Sequence, residues 1–359
     1  MVYAVILAGG KGERFWPMSR SGHPKQLLKI TSDKTMLQET IDRVSELIPI
    51  ERTLVVIGEN IKKDILQKIP FLKEENLLIE PMGKNTCVAI GLAAAYLSLK
   101  DPQATMVILS SDHLIKPKER LLKILEAGIK VAQATEHLVT IGIIPNRPEI
   151  GYGYIELGDL LNSIDGISVY KVKSFKEKPN RTVAQQYYLD RQHLWNSGMF
   201  IWTVKAFLKA VSQFAPDIST KLSQIAKSLS LPQANEILRK TYQEVENISV
   251  DCAILEKSPD VLTIKADIIW DDIGSWLALE RVKEKDRDNN VLIGDTKVID
   301  TFESIVLNEG EGIITTLGVS DLVIVKTDDI VLVAHKAKIP YIKDLLSKLA
   351  GDKRTEKFL

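Results

Sequence analysis

The sequence predicts an α/β fold, a parallel sheet with helices on both faces, followed by a small β-rich region. Three observations carry this. The opening apolar run, 2–8, lacks polar alternation and so reads as a strand buried on both faces. Segments with helical and strand periodicity then alternate as far as Ile269, the pattern of parallel strands joined by crossover helices. Beyond the charged run 283–290 this alternation stops, and short β-rich segments separated by turns take over. At 359 residues the chain can bury one large core and a smaller one, divided in this reading into 1–283 and 284–359.

The elements follow in order. Met36, Leu37, Ile41, Val44, Leu47 and Ile48 recur at helical spacing, 52–58 reads as a buried strand, and 60–69 as a second amphipathic helix. A short strand over 76–80 is closed by Pro81 and followed by an alanine-rich helix over 87–99. A strand over 105–109, a helix over 116–135 and a strand over 138–144 come next. The alternating segment 169–175 is a half-buried strand, and 204–246 is largely helical with Pro216 and Pro232 as punctuation. A strand over 261–269 and a helix over 276–282 end the first region. The β-rich part reads as 291–299, 304–307, 312–316, 322–326 and 330–334, compatible with a meander or a partial β-helix, and 339–349 closes the chain as a helix. In parallel sheets ligands bind at the carboxyl ends of strands, which puts the loops after Ala8 and Ile79 on one rim.

Bulk properties exclude several classes. Basic and acidic residues balance at 47 each, so no global field draws the chain to nucleic acid or to a membrane surface. Two cysteines, Cys87 and Cys252, make neither a disulfide framework nor paired metal-ligand spacing, and buried thiols are expected. The N-terminal run is short and has no basic residues before it, unlike a signal peptide, and no stretch approaches the roughly 20 apolar residues of a membrane span. The glycosylation patterns at Asn180 and Asn247 are read as chance, and a cytoplasmic protein is expected.

The most informative stretch is 2–26. Gly9, Gly10 and Gly12 follow directly on the core strand, and each glycine gives up roughly 0.5–1 kcal/mol relative to alanine through backbone entropy. Close approach of a ligand to the main chain offsets such a cost, and free amides in a turn make a concave site for phosphate oxygens. Between Gly9 and Gln26, Lys11, Arg14, Arg20 and Lys25 face the single acid Glu13, which is the electrostatics of a polyphosphate site. A dinucleotide fingerprint fails because Phe15 takes the place of the third glycine, and a Walker-type loop fails because Gly-Lys-Ser/Thr is missing.

Later segments read more plainly by themselves. Asn85 or Thr86 reads as a helix cap, and Asp112, after Ser110-Ser111, as a cap or a metal ligand on the strand rim. Gly151-Tyr152-Gly153-Tyr154 reads as a strand start and Asn196-Ser197-Gly198 as a bulge or turn. Glu177 and Lys178 read as a solvated strand end. Of the adjacent acids Asp271 and Asp272, only one can face a given metal, because neighbours in an extended chain point apart.

Taken together, 7–26 (LAGGKGERFWPMSRSGHPKQ) resembles the N-terminal signature of the sugar-1-phosphate nucleotidylyltransferases, and Phe15-Trp16-Pro17 with Pro24-Lys25-Gln26 resembles the mannose-1-phosphate guanylyltransferase branch. The resemblance implies a Rossmann-like mixed, mostly parallel sheet with helices on both faces, of the nucleotide-diphospho-sugar transferase type, and favours a partial β-helix at the C-terminus. It implies joining of GTP and mannose 1-phosphate to give GDP-mannose and diphosphate, with Mg²⁺ as cofactor. Arg14 and Lys25 would be catalytic. Leu7, Ala8, Gly9, Gly10, Gly12, Glu80, Asn85 and Thr86 would bind the nucleotide, Cys87 standing where the family has alanine. Gly153, Glu177, Lys178, Asn196, Ser197 and Gly198 would bind the sugar phosphate. Asp112 and Asp272 would hold the metal, leaving Asp271 solvated or capping, and His113 structural. Asp251, in a segment resembling Ser-Ile-Asp-Tyr-Ala, receives no sharp role. A C-terminal appendage of this kind commonly supports dimer contacts, and a homodimer is expected. The competing readings are a nucleotidylyltransferase for another sugar phosphate or base, and a non-catalytic regulatory paralogue that binds GDP-sugar. The region after Lys283 is too short for an added isomerase domain.

Overall fold

The run that opens the chain forms a buried strand, β1 (Val2–Leu7), and the alternation expected after it is present. In chain order come α1 (Met36–Val44), β2 (Thr53–Gly58), α2 (Lys62–Lys68), β3 (Leu77–Glu80), α3 (Asn85–Lys100), β4 (Thr105–Ser110), β5 (Leu114–Lys116), α4 (Lys118–Thr135) and β6 (Leu138–Ile143). A long hairpin, β7 (Tyr154–Ile164) and β8 (Ile167–Lys176), precedes α5 (Arg181–Asp190) and β9 (His193–Thr203). Three helices follow, α6 (Val204–Phe214), α7 (Pro216–Ser228) and α8 (Ala234–Glu244), then β10 (Val261–Ala266) and β11 (Ile269–Asp271). The computed structural model describes residues 1–10, 12–20, 22–176 and 178–359. These form two units, one of Met1–Gly9, Thr40–Ser111 and Ile115–Trp270, the other of Gly10–Glu39, Asp112–Leu114 and Asp271–Leu359.

In the first unit one mixed sheet runs β3-β2-β1-β4-β9-β6-β10-β8-β7. β1 is parallel to both neighbours, with Val5 opposite Leu54 and Ile108, and β6 is parallel to β10. β9 lies antiparallel between β4 and β6, splitting the parallel strands into two blocks. Alternation along β9 shows why helices cover both faces. Phe200 and Trp202 join the core formed with α3 and α6, where Ala93, Phe207 and Val211 are buried. Ile201, between them, points to the other face, against α4, so close that a Cβ on Gly128 would meet its Cδ1 at 2.2 Å.

The second unit has its own core. Phe15, Trp16, Leu28 and Ile30 pack with Trp276, Leu279, Ile305, Val323 and Ile342. Its later elements are α9 (Leu279–Val282), β12 (Val291–Ile293), β13 (Thr296–Phe302), β14 (Ile305–Asn308), β15 (Ile314–Ser320), β16 (Leu322–Lys326), β17 (Val331–His335) and α10 (Ile342–Ala350). β12, β14 and β16 pair in parallel, placing Val291, Ile305 and Val323 in one buried row, and β13 pairs in parallel with β15. A meander would pair neighbours antiparallel; these successive coils stack as a β-helix, closed by the antiparallel edge β17. Trp16 is locked into this unit from both ends. Its indole N–H donates to the Phe358 carbonyl at 2.8 Å, and its own carbonyl accepts the Trp276 indole N–H at 3.0 Å.

Candidate active site

In the second unit the chain turns at Gly12, with φ +68°, and a Cβ there would meet the Lys25 Cβ at 2.3 Å. Both the left-handed backbone and the contact demand glycine. Lys25, only 7% exposed, is held below that turn. Its ammonium donates to Asp112 Oδ2 at 2.6 Å and to the Asp272 carbonyl at 3.1 Å, and lies 5.5 Å from the centre of the Phe15 ring. Residues 25, 112 and 272, far apart in sequence, thus meet around one cation. Burial pushes the Asp112 carboxyl upward, but the Lys25 charge and hydrogen bond outweigh it, so its pKa lies below the usual range and it stays ionised.

Asp272 Oδ1 accepts the Gly274 N–H at 3.0 Å. Its neighbour Asp271 is neither solvated nor a simple cap, as the sequence reading had it. It is 4% exposed and forms a two-point pair with Arg281, 2.6 Å to Nε and 2.9 Å to Nη2, while accepting the Ile273 N–H. A buried carboxylate needs that compensation. Directly after the two acids Ile273 is buried with φ +44°, a conformation that costs a β-branched residue on the order of 1–3 kcal/mol and clusters at functional sites.

The other basic residues of the glycine stretch divide. Arg14 is exposed at the surface of the second unit. Arg20 does not contribute to a polyphosphate field as expected. Its guanidinium binds Asp329 through both nitrogens, 2.8 Å at Nη1, and Thr327 at 3.0 Å, which ties the loop to the β-helix. Lys11 lies outside the described residues. Gly10 is exposed, with open space where a side chain would begin.

The first unit holds the remaining candidates in two groups. At the end of β1, Leu7 accepts the Ser111 N–H and Ala8 donates its N–H to Val56, which fixes the strand end that leads into exposed Gly9. A Cβ on Gly9 would approach Glu80 Oε2 at 3.3 Å. Glu80, 5% exposed, accepts the Tyr242 hydroxyl at 3.2 Å, and burial pushes its carboxyl up to about 7 against the lowering effect of that bond. Asn85 and Thr86 do not cap α3. Asn85 is its first residue, with φ +67° and its Oδ1 on the Thr86 N–H, and the Thr86 hydroxyl oxygen accepts the Val250 N–H at 2.9 Å.

The second group lies at one end of β7, β8 and β9. Tyr154 is in register with both Lys176 and Trp195, and the Gly153 carbonyl accepts the Asn196 N–H at 2.8 Å. Lys178 follows two residues beyond Lys176, exposed and with φ +29°. Glu177 lies outside the described residues. Asn196-Ser197-Gly198 is not a turn but a strand interior with an irregular register, and Gly198 has φ +66° with open space at its Cβ position. Ser197 is buried, its hydroxyl donating to the Ile141 carbonyl at 2.6 Å, which fastens this stretch of β9 to β6. Of the two cysteines, Cys87 is buried, and burial together with the Asp251 charge pushes its thiol up to about 12; Cys252 is half-buried instead. Tyr242 and Arg281, which hold the acids at 80 and 271, carry no sequence motif. The only signal for them was an aromatic residue and a cation within helical segments.

Among the described residues no group of three or more His, Cys, Asp or Glu side chains forms a metal cage, and no helix is long and apolar enough to cross a membrane. Lys25 joins the Asp112 carboxylate to the main chain of Asp272, and a hard divalent cation is typically held by one or two carboxylates together with substrate phosphates.

The family described as "Nucleotidyl transferase" matches residues 3–289, and the "MannoseP isomerase/GMP-like beta-helix domain" matches residues 294–349. A mannose-1-phosphate guanylyltransferase of Klebsiella pneumoniae is 37% identical over 99% of this chain and 75% of its own length. One from Escherichia coli is 34% identical over 98% of this chain and 76% of its own. Among solved structures, a Thermus thermophilus protein titled mannose-1-phosphate geranyltransferase superposes with a TM-score of 0.86 at 32% identity, covering 97% of this chain and 99% of that one. A Helicobacter pylori protein titled mannose-6-phosphate isomerase gives a TM-score of 0.60 at 26% identity, covering 75% of this chain and 99% of that one.

Proposed function

Because this chain belongs to the mannose-1-phosphate guanylyltransferase family of nucleotidyl transferases, we propose that it joins GTP and mannose 1-phosphate to give GDP-mannose and diphosphate. The observation that carries the reading is the meeting of Lys25, Asp112 and Asp272 behind the glycine turn. In the reaction a phosphate oxygen of the sugar attacks the α-phosphorus of GTP in line, the bond to the β-phosphate oxygen breaks, and diphosphate leaves. The attacking oxygen is already anionic at neutral pH, so no general base is needed. The barrier lies in bringing two anions together and aligning them, where positioning contributes roughly 7–11 kcal/mol.

Each residue's role follows from its chemistry. Arg14 and Lys25 hold the triphosphate and stabilise charge at the reacting phosphorus. Leu7, Ala8, Gly9, Gly10 and Gly12 offer main chain to the nucleotide, with Glu80, Asn85 and Thr86 beside it. Gly153, Asn196 and Gly198 line the hexose pocket, and Lys178 pairs with the sugar phosphate as a compact cation. Glu177 is assigned to the sugar on its sequence position alone. Mg²⁺ would be held by Asp112 and Asp272 and would supply charge neutralisation between the substrates. The residues 1–283 would carry this chemistry in a cytoplasmic enzyme. A homodimer is supported by Ile299 and Leu317, neighbours on β13 and β15 that are 63% and 72% exposed.

Diphosphate release measured with GTP, ATP, UTP and CTP against mannose 1-phosphate and glucose 1-phosphate tests the reading. Turnover is expected with GTP and mannose 1-phosphate. Preference for another pair would overturn the substrate assignment, and binding without turnover in every pair would mark a regulatory protein.

A further inference from the structure

Asp251 opens a π-helical turn, Asp251–Leu255, a backbone form that recurs at functional positions. Its Oδ1 accepts a hydrogen bond of 2.7 Å from the Asn196 side-chain amide. Asn196 in turn accepts the Gly198 N–H on its own side-chain oxygen at 3.2 Å. A carboxylate only accepts and a backbone N–H only donates, so the two partners fix which end of the Asn196 amide is nitrogen and which is oxygen. The second amide N–H of Asn196 has no partner among the described residues and is left for a ligand. This lock lies where β9 departs from regular strand geometry, at the positive φ of Gly198.

The residues before Asp251 are fastened to the beginning of α3. Lys84 Nζ donates to the Val245 carbonyl at 2.9 Å, the Cys87 N–H to the Ile248 carbonyl at 3.4 Å, and the Val250 N–H to the Thr86 hydroxyl oxygen at 2.9 Å. One segment, 245–251, is therefore pinned along its length to Lys84, Thr86 and Cys87, of which Thr86 is assigned to the nucleotide, and its last residue bonds Asn196, which is assigned to the sugar. We propose that Asp251 is a positioning residue for the sugar phosphate, holding the Asn196 amide so that its remaining N–H meets the hexose. The inference rests on the reading that Asn196 lines the sugar pocket.

Steady-state kinetics of the full chain with GTP, Mg²⁺ and mannose 1-phosphate tests it. Asp251→Ala is expected to raise KM for mannose 1-phosphate by about tenfold or more, the scale of one charge-assisted hydrogen bond, and KM for GTP by less than about twofold. Asp251→Asn keeps an acceptor oxygen and is expected to recover the parent value to within about threefold. Asn196→Ala should match Asp251→Ala, and the double variant should be no worse than either. If Asn196→Ala leaves the sugar phosphate unaffected, the pocket reading fails and this proposal falls with it. If Asn196→Ala weakens sugar binding but Asp251→Ala does not, the proposal alone is overturned. Equal weakening of both substrates, multiplied losses in the double variant, or no recovery by asparagine also overturn it. Should Asp251→Ala melt early, Asp251→Ser supplies the same comparison.

Discussion

A single lysine shows how distant parts of the sequence become one chemical group. Lys25 reaches a carboxylate and a carbonyl that lie 87 and 247 residues further along the chain. Replacing Lys25 by alanine is expected to slow product formation by about two to three orders of magnitude, the loss seen when one well-placed donor is removed from a charged transition state. A stopped assay for diphosphate, with a melting curve to show that the protein still folds, measures this; near-parent activity would remove Lys25 from the mechanism. Glu80 makes a prediction about pH. Burial lifts its pKa from 4.5 to about 7, so the folded protein holds a proton that the unfolded chain has already released over that window. Its stabilising protonation is fully present below about pH 4.5 and is lost as pH rises through about 7, a change of at most about 3 kcal/mol. In ligand-free protein the melting temperature of Glu80→Gln relative to the parent should rise between pH 4.5 and 7 and then level off. A difference that stays flat across this range contradicts the assignment.

At the scale of elements, the strand-helix alternation and the order of the motifs were legible because buried parallel strands and amphipathic helices leave strong periodic signals. What was not legible depends on partners that no local pattern names. β9 carries Asn-Ser-Gly, a composition that fits a bulge and a turn equally, and only its pairing with β4, β6 and β7 selects the irregular strand over the turn. Asp271 looked solvated until folding placed Arg281 against it, and Arg20 looked like a phosphate ligand until Asp329 arrived from the C-terminal strands. Thr86 had the chemistry of a helix cap but receives an N–H from a segment about 160 residues away. Packing between α4 and β9 offers a test at this scale. Gly128→Ala would force its methyl group into Ile201, and overpacking of this kind typically costs about 1–3 kcal/mol. Chemical denaturation should show that loss, and the companion change Ile201→Val should recover part of it. Unchanged stability in Gly128→Ala would mean that the helix can shift at little cost.

For the whole molecule, the division that sequence composition suggests after residue 283 runs through a packed core. Phe15, Trp16, Leu28 and Ile30 precede it in the chain, whereas Val291, Ile305, Val323 and Ile342 follow it. A chain ending at Lys283 is therefore expected to lose more than an appendage. It exposes the apolar side of the segment that holds Lys25, and should be insoluble or inactive although residues 3–289 match a nucleotidyl transferase family. Expression of 1–283 with an assay for diphosphate release decides this, and a soluble, fully active fragment would refute it. The same arrangement governs how the protein emerges from the ribosome. The side chains of Phe15 and Trp16 are synthesised well before their partners at 305, 323 and 342, which come roughly 300 residues later. At about 5–20 residues per second, this leaves a sticky segment waiting tens of seconds for its mates, an interval in which chaperone capture competes with premature association.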